Sequence, residues 1–524
     1  MVRKQRSIHL WVFAVLVGHL GAFGCKDYEV GAVAASDTGD GALDAAPDVN
    51  ALDGDAGPSA DASAADGGKA DGSLPDAPSD ATVFDAASDA AADTGEAGGD
   101  GGSDVGSDAA VVIPQLAAAG NEIINVSTGG VQANADCEGP KPSADIRFVT
   151  FFSAATNLVA NDTNGASDVF LRDRALGTTK VVSATLGGVP GNGASDGGYL
   201  TPSGLFVSFA SVANNLVAGD GNGKRDVFLY NVSNGALERV SVSSAAAEGD
   251  GDSGAASVSN DGRYVAFESA ATNLVVGDTN NQQDVFLRDR VLNTTLRVTV
   301  GTGGAQANGL SRKPHVSADG LFVAFESDAT NLVTADTNGV RDVFIYSILS
   351  QAITRLSDTG SAQGNGVSER LILSDTSQFG IFPSAATNLV AGDTENQTDL
   401  FRVTTQSPRQ YVRLGGLVSF PSTRASISNS GNVVAAETVN SFAKANDQNS
   451  ASDIWAYNLS SLPPAIPVAL SVSSGGNTGN GASTSPFLTS DGSHVVYRTV
   501  ATNISGITDN NGALADIILN RISP

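Results

Sequence analysis

The acidic residues of this chain recur in a spacing that could hold a cation. Asp-x-Asn-x-x-x-Asp stands at Asp162/Asn164/Asp168, Asp220/Asn222/Asp226, Asp278/Asn280/Asp284 and Asp336/Asn338/Asp342, with variants at Asp393/Glu395/Asp399 and Asp447/Asn449/Asp453. Oxygen ligands so placed, with Gly165, Gly223 or Gly339 permitting a sharp bend, suit a hard ion such as Ca²⁺. Ala160, Ala218, Val276 and Thr334 stand where a calcium loop would carry its first acidic ligand, so coordination would lean on backbone carbonyls and water. Asp and Asn capping backbone N–H groups in a repeated turn explain the same pattern without an ion, and the sequence favours that explanation.

Other chemically suggestive residues dissolve in context. Gly193-Ala194-Ser195-Asp196-Gly197 spells a serine-hydrolase elbow, but Ser253, Ser311, Ser368 and Ser483 are its equivalents in a repeated loop, and a repeated Ser describes a turn. His315 and His494 fall near single strands with no third partner converging on them, which is the usual setting of a structural histidine. Phe170, Phe228, Phe286, Phe344, Phe401 and Trp455 share one strand register and read as core, and Thr156-Asn157, Thr272-Asn273, Thr330-Asn331, Thr387-Asn388 and Thr502-Asn503 read as loop caps. No catalytic constellation emerges.

The elements that position these residues repeat. The Asp that opens an Asp-Val-Phe-like strand recurs at Asp168, Asp226, Asp284, Asp342, Asp399, Asp453 and Asp516, giving seven units over residues 121–524. In the third unit the expected strands are residues 256–259, 264–268, 284–288 and 296–300, with Asp261-Gly262 as a hairpin turn. Short apolar strands at a long fixed period, with almost no helical periodicity, predict an all-β, seven-bladed propeller of four-stranded blades. The last unit ends on its third strand, near Ile517, while Glu122 to Ser127 match a fourth strand, so the N-terminal segment is expected to complete the last blade.

Ser317-Ala318-Asp319-Gly320 followed by Phe322 to Ser327 resembles the repeat of TolB-type, WD-repeat-like propellers. The sixth unit departs from it, with Ser428-Asn429-Ser430-Gly431 and no Asn-Leu loop, and is expected to be irregular. The resemblance implies a fold used mainly as an interaction platform.

The remaining chain reads as an address and a tether. Arg3, Lys4 and Arg6, an apolar run from Ile8 to Leu20, and Gly21, Ala22 and Gly24 before Cys25 make residues 1–24 a signal peptide. Ala22-Phe23-Gly24-Cys25 resembles a bacterial lipobox, with Ala22 where Leu is usual, which implies lipidation of Cys25. Residues 25–112 are Ala, Asp, Gly, Ser and Pro with 18 net negative charges, too few apolar side chains to offset ordering, and so a disordered acidic linker. Of the chain's net charge of −27, the propeller part carries only −12. An acidic balance excludes a basic nucleic-acid-binding face, and two cysteines exclude a disulfide scaffold, leaving Cys137 unpaired.

Together these features predict a monomeric, non-enzymatic lipoprotein of the outer membrane or cell surface, otherwise secreted. It would meet the membrane only through its lipid, carry no cofactor other than a calcium ion, and bind protein or polysaccharide through variable loops. The alternative is a propeller hydrolase or lyase acting on an extracellular glycan or peptide. Acidic or histidine residues unique to one or two blades and converging on the axis would mark it.

Overall fold

The computed structural model describes residues 120–394, 397–414, 424–439, 447, 449–460 and 467–522. The leader, Cys25, the linker and Glu395 lie outside the described residues. Among the described residues, 28 strands form seven four-stranded antiparallel sheets, and the one helical element is a 3₁₀ turn at Thr302–Gly304. The seven-bladed all-β propeller is therefore the fold.

Blade three shows the repeat: Ser253–Val258, Tyr264–Ser269, Asp284–Asp289 and Thr294–Arg297, each strand pairing with the next. The fourth strand stops at Arg297 rather than reaching residue 300, because Thr299 turns back and donates its hydroxyl to Asp284, 2.5 Å away. Blade six is a full sheet after all, but its outer strands shrink to Ala425–Ile427 and Val468–Ala469.

The ring closes as the repeat count requires. Asn121–Ile123 pairs with Asp516–Arg521, Ile123 lying opposite Ile518, and the Ile124 N–H donates to the Ile517 carbonyl at 2.9 Å. In most blades a Ser or Thr just after strand four accepts a backbone N–H from strand three and donates to the repeated Asp, as Ser183 does for Val169 and Asp168. Asn125 does both jobs in the last blade: its amide oxygen accepts from Ile517 N (2.9 Å) and its amide nitrogen donates to Asp516 (2.7 Å).

The aromatic register is core. Phe151–Phe170, Phe209–Phe228, Phe267–Phe286, Phe325–Phe344 and Phe382–Phe401 stack with centroids 5.5 to 6.1 Å apart, all inaccessible, and Trp455 is likewise buried. Such a pair adds about 0.5–1.5 kcal/mol beyond its buried area. Blade-to-blade contact explains the hairpin glycine. Gly262 has φ +73°, and a Cβ there would lie 2.5 Å from the Phe206 ring of the preceding blade, so both conformation and space demand its absence.

Candidate functional site: the axial cup

The first strand of every blade faces the axis, and among the described residues those of blades one to five and seven carry a bulge there. Pairing with strand two shifts between Glu138 and Lys141, Gly254 and Ser257, Arg312 and His315, and Thr484 and Phe487. The bulged residue takes positive φ even where it is not glycine: Ala255 (+42°), Lys313 (+53°), Arg370 (+51°) and Ser485 (+56°). A bulge frees one backbone N–H from the ladder. Three of these are taken by a carboxylate of the preceding blade: Lys313 N donates to Glu268 (2.8 Å), Arg370 N to Glu326 (2.7 Å) and Ser485 N to Glu437 (2.7 Å). Each latch joins neighbouring blades and turns the next side chains toward the axis.

Those side chains differ from blade to blade. At one register of strand one stand Lys141, Tyr199, Ser257, His315, Ile372, Ser426 and Phe487. Ser257 and Ser426 simply accept the N–H of Val316 and Leu488 from the following blade. Lys141, Tyr199, Ile372 and Phe487 build the floor of a cup of about 360 Å³, lined also by Gly197, Ala256, Leu371, Ala425 and Pro486, and His315 stands behind Tyr199.

Lys141 is almost wholly buried and sits between two rings, its Nζ 3.1 Å from the centroid of Phe487 and 3.6 Å from that of Tyr199. Burial holds its pKa well below the usual lysine range, opposed by the charge of Asp375. Burial likewise raises Asp375, which accepts a hydrogen bond from Ser490 and feels the opposing charge of Lys141. Asp375 belongs to the strand-one to strand-two turn of blade five, and such turns link around this end of the ring, as Asp319 N to Asp375 O (3.0 Å) and Asn260 N to Ala318 O (2.9 Å).

His315 lies beside this pair rather than alone on a strand. Its Nδ1 accepts the Leu373 N–H at 3.4 Å, and its Nε2 is 3.1 Å from the Tyr199 hydroxyl. With Nδ1 an acceptor, the neutral ring carries its proton on Nε2 and donates it to Tyr199, leaving the phenolic hydrogen to point elsewhere. Burial, with the Lys141 charge, pushes His315 down to about 3, and burial pushes the Tyr199 phenol well up.

A pH prediction follows from His315. The unfolded histidine takes up a proton near pH 6.5 and the folded one does not, so folding stability is lost as pH falls from about 6.5 toward 3. At about 1.4 kcal/mol per pKa unit, His315→Gln is expected to remove on the order of 3 kcal/mol of that loss. Asp168 and Asp453, raised by burial to about 6 and about 7, pull the other way between pH 4 and 7. Denaturant melts of wild type and His315→Gln from pH 7.5 to 4.5 separate the two, since both carry the same aspartates. Parallel curves would show that His315 titrates normally.

The mouth of the cup is basic. Above the buried Lys141 its lining includes Lys313, Arg370 and Arg424 against one acid, Asp196, which pairs with Arg225. Glu326 behind it is occupied by Arg312 (2.7 Å) and Lys313 (3.4 Å). Burial opposes its charge, but Lys313, Arg312 and the Arg370 N–H outweigh burial and hold it below the usual carboxylate range.

No protein-family model matches the chain, and no curated protein matches it. Among solved structures it resembles TolB from Acinetobacter baumannii, with TM-score 0.32 and 16% identity over 53% of this chain and 54% of that one. The chain thus spans about half the length of that TolB. It also resembles an oligogalacturonate lyase in complex with manganese (TM-score 0.47, 12% identity, 78% of this chain and 95% of that one). The oligogalacturonate lyase of Vibrio parahaemolyticus compares similarly, at TM-score 0.47 and 11% identity over 78% and 98%. The likeness is one of fold.

The repeated acidic turns singled out by sequence are not part of the cup lining. Asn164, Asn222, Asn280 and Asn338 use their amide oxygens on the N–H two residues on, at 2.8 to 3.2 Å, forming Asx turns. Their amide nitrogens donate to Asp168, Asp226, Asp284 and Asp342 at 2.6 to 3.0 Å, so the amides have no oxygen turned to a cation. In blades two to four the paired carboxylates already face an internal cation. Arg239 reaches Asp220 and Asp226 (3.2 and 3.3 Å), Arg297 reaches Asp278 and Asp284 (2.8 and 3.5 Å), and Arg355 reaches Asp336 and Asp342 (3.1 and 3.6 Å).

Arg413 does the same for Asp393 and Asp399 in blade five. Ser195 is buried and donates to Ser211 at 2.9 Å, as Ser253 does to Ser269, a strut repeated around the ring. Cys137 is buried and unpaired, its thiol pushed up to about 12 by burial. His494 bonds its neighbour Ser493 at 2.7 Å on the rim of blade seven.

Proposed function

We propose that the propeller is a binding head whose axial cup receives a carboxylate-bearing segment of a protein or polysaccharide partner. Lipid on Cys25 would hold it at the cell envelope, with residues 25–112 as spacer. The observation that carries this reading is the charge of the mouth: Lys313, Arg370 and Arg424 against one acid, Asp196, line a cup in a chain whose propeller part is net acidic. Low-dielectric walls focus such a field and raise the local concentration of an anion. The aromatic floor of Tyr199 and Phe487 supplies an apolar face beside it.

Binding is favoured over catalysis because both nitrogens of His315 are engaged internally and Lys141 is enclosed by rings. The rival reading, a hydrolase or lyase, draws on the same convergence: Tyr199, held by His315, is a phenol in the cup lining that could pass a proton to a leaving group.

Titration of the intact protein with hexaglutamate and with oligogalacturonate, and neutral dextran as control, tests both readings. Binding of at least one acidic probe is expected, weakened about 30-fold or more by Arg370→Glu with Arg424→Glu and by added salt. Undiminished binding by that double variant, or failure of both acidic probes to bind, would sink the proposal. Time-dependent cleavage that Tyr199→Phe abolishes would establish the rival instead.

A further inference from the structure

Four blades show what the repeated acidic turn requires. In blades two to five a strand-four arginine places its guanidinium within 2.8 to 3.6 Å of each carboxylate of the pair, through one nitrogen in blades two to four and through two in blade five, so both carboxylates face a single cationic group. Register identifies the arginine's counterpart elsewhere. Arg239, Arg297, Arg355 and Arg413 lie opposite Phe228, Phe286, Phe344 and Phe401, and in blade one the residue opposite Phe170 is Val181. The guanidinium's second support is replaced too. The bridge positions Glu248, Gln306 and Gln363, whose side chains bond those arginines in blades two to four, correspond to Pro190 in blade one.

The carboxylates of blade one nevertheless remain. Asp162 is 5% exposed and Asp168 is fully buried. Asp168 accepts from Ser183 (2.7 Å) and Asn164 (2.6 Å), as its counterparts do, but the Oδ1 of Asp162 has no hydrogen-bond partner among the described residues. The charge nearest in effect to Asp168 is the like charge of Asp162. A buried carboxylate pair with a naked oxygen, at a position built elsewhere around a cation, lacks the positive charge that the architecture supplies four times over.

We propose that in blade one a hard divalent cation, Ca²⁺, takes the place of the missing guanidinium between Asp162 and Asp168. The donors are all oxygen, Asp162 through its unpartnered Oδ1 and Asp168 through lone pairs left by its two hydrogen bonds, with water completing the shell. Two carboxylates and water suit the large, geometrically tolerant Ca²⁺ better than Mg²⁺, which demands a regular octahedron at short distances. So few protein ligands give the sub-millimolar to millimolar affinity typical of extracellular calcium modules.

The test counts calcium bound by the intact protein in equilibrium dialysis at 5 mM Ca²⁺. The acidic linker contributes the same background to every variant, so differences report the propeller. Asp162→Asn and Val181→Arg are each expected to bind one calcium fewer than wild type. Asp278→Asn, in a blade whose arginine is present, is expected to bind as wild type does. Val181→Arg should also raise the melting midpoint in EDTA to near the calcium-loaded wild-type value, and then no longer respond to calcium. Should Asp162→Asn fail to fold, the arginine variant decides alone, because it restores the arrangement of the neighbouring blades. Equal calcium content in wild type and Val181→Arg overturns the proposal.

Discussion

Asn125→Ala is expected to lower the unfolding free energy by about 3 kcal/mol, against roughly 1–2 kcal/mol for the equivalent Ser183→Ala in blade one. The two side chains make matching bonds: Asn125 accepts from Ile517 N and donates to Asp516, and Ser183 accepts from Val169 N and donates to Asp168. Asn125 and Asp516 are fully or almost fully buried, so either substitution strands a donor and a carboxylate without water to replace them.

What differs is what else holds the strands together. Ser183 directly follows a blade whose four strands succeed one another along the chain. Asn125 is tied to strand three across 391 residues, backed by a terminal strand of three residues. Loss of that tie lets the closing strand peel away, exposing an unpaired edge in the last blade. Equilibrium denaturation of both variants measures the difference. An Asn125→Ala effect no larger than that of Ser183→Ala would mean that backbone pairing of Asn121–Ile123 alone secures the ring.

How much of this was legible in the sequence depends on whether a residue repeats. The Asp of strand three, the paired Phe rings, the Ser-x-Asp-Gly turn and the Thr-Asn caps recur at fixed period because each blade solves the same packing problem, and recurrence announces blade number, strand order and closure. The Asp-x-Asn-x-x-x-Asp turn was equally visible, yet its cation was not, because Arg239, Arg297, Arg355 and Arg413 lie 13 or 14 residues beyond the Asp they meet and only strand pairing brings them together.

The cup was hidden for the opposite reason. Its floor residues share a register but not a chemistry, so Lys141, Tyr199, Ile372 and Phe487 look like unrelated strand residues, and His315 behind them looks alone. A signal existed: between a repeated small residue at the start of strand one and the repeated apolar residue and Ser or Thr at its end, four successive positions vary among the seven copies, and the last of them carries Lys141, Tyr199, Ser257, His315, Ile372, Ser426 and Phe487. Variation confined to the middle of one strand, between ends that repeat, marks the place where the blades stop making the fold and start making a site.

Lys141→Met and Asp375→Asn are each expected to destabilise the protein by about 2–3 kcal/mol, and the double variant to lie within about 1 kcal/mol of wild type. Neither group is placed for its own comfort: burial lowers Lys141 and raises Asp375, and each opposes the other's shift. Removing one leaves the other buried with less compensation, whereas removing both replaces a costly pair by an apolar side chain between two rings and a neutral amide that Ser490 can still bond. The effect falls below that of a fully enclosed ion pair because Asp375 is only partly buried.

The pH dependence distinguishes the two single variants. In Lys141→Met the carboxyl of Asp375 is raised further, the folded state then holds the extra proton, and the cost grows as pH rises from 5 to 8. In Asp375→Asn the lysine is lowered further, the unfolded chain holds the extra proton, and the cost grows as pH falls over the same range. Opposite slopes from two substitutions at one site are the signature of a coupled buried pair. Parallel slopes, or a double variant as unstable as the sum of the singles, would mean that Lys141 and Asp375 occupy the axis independently, and that the rings of Tyr199 and Phe487 alone hold the ammonium in place.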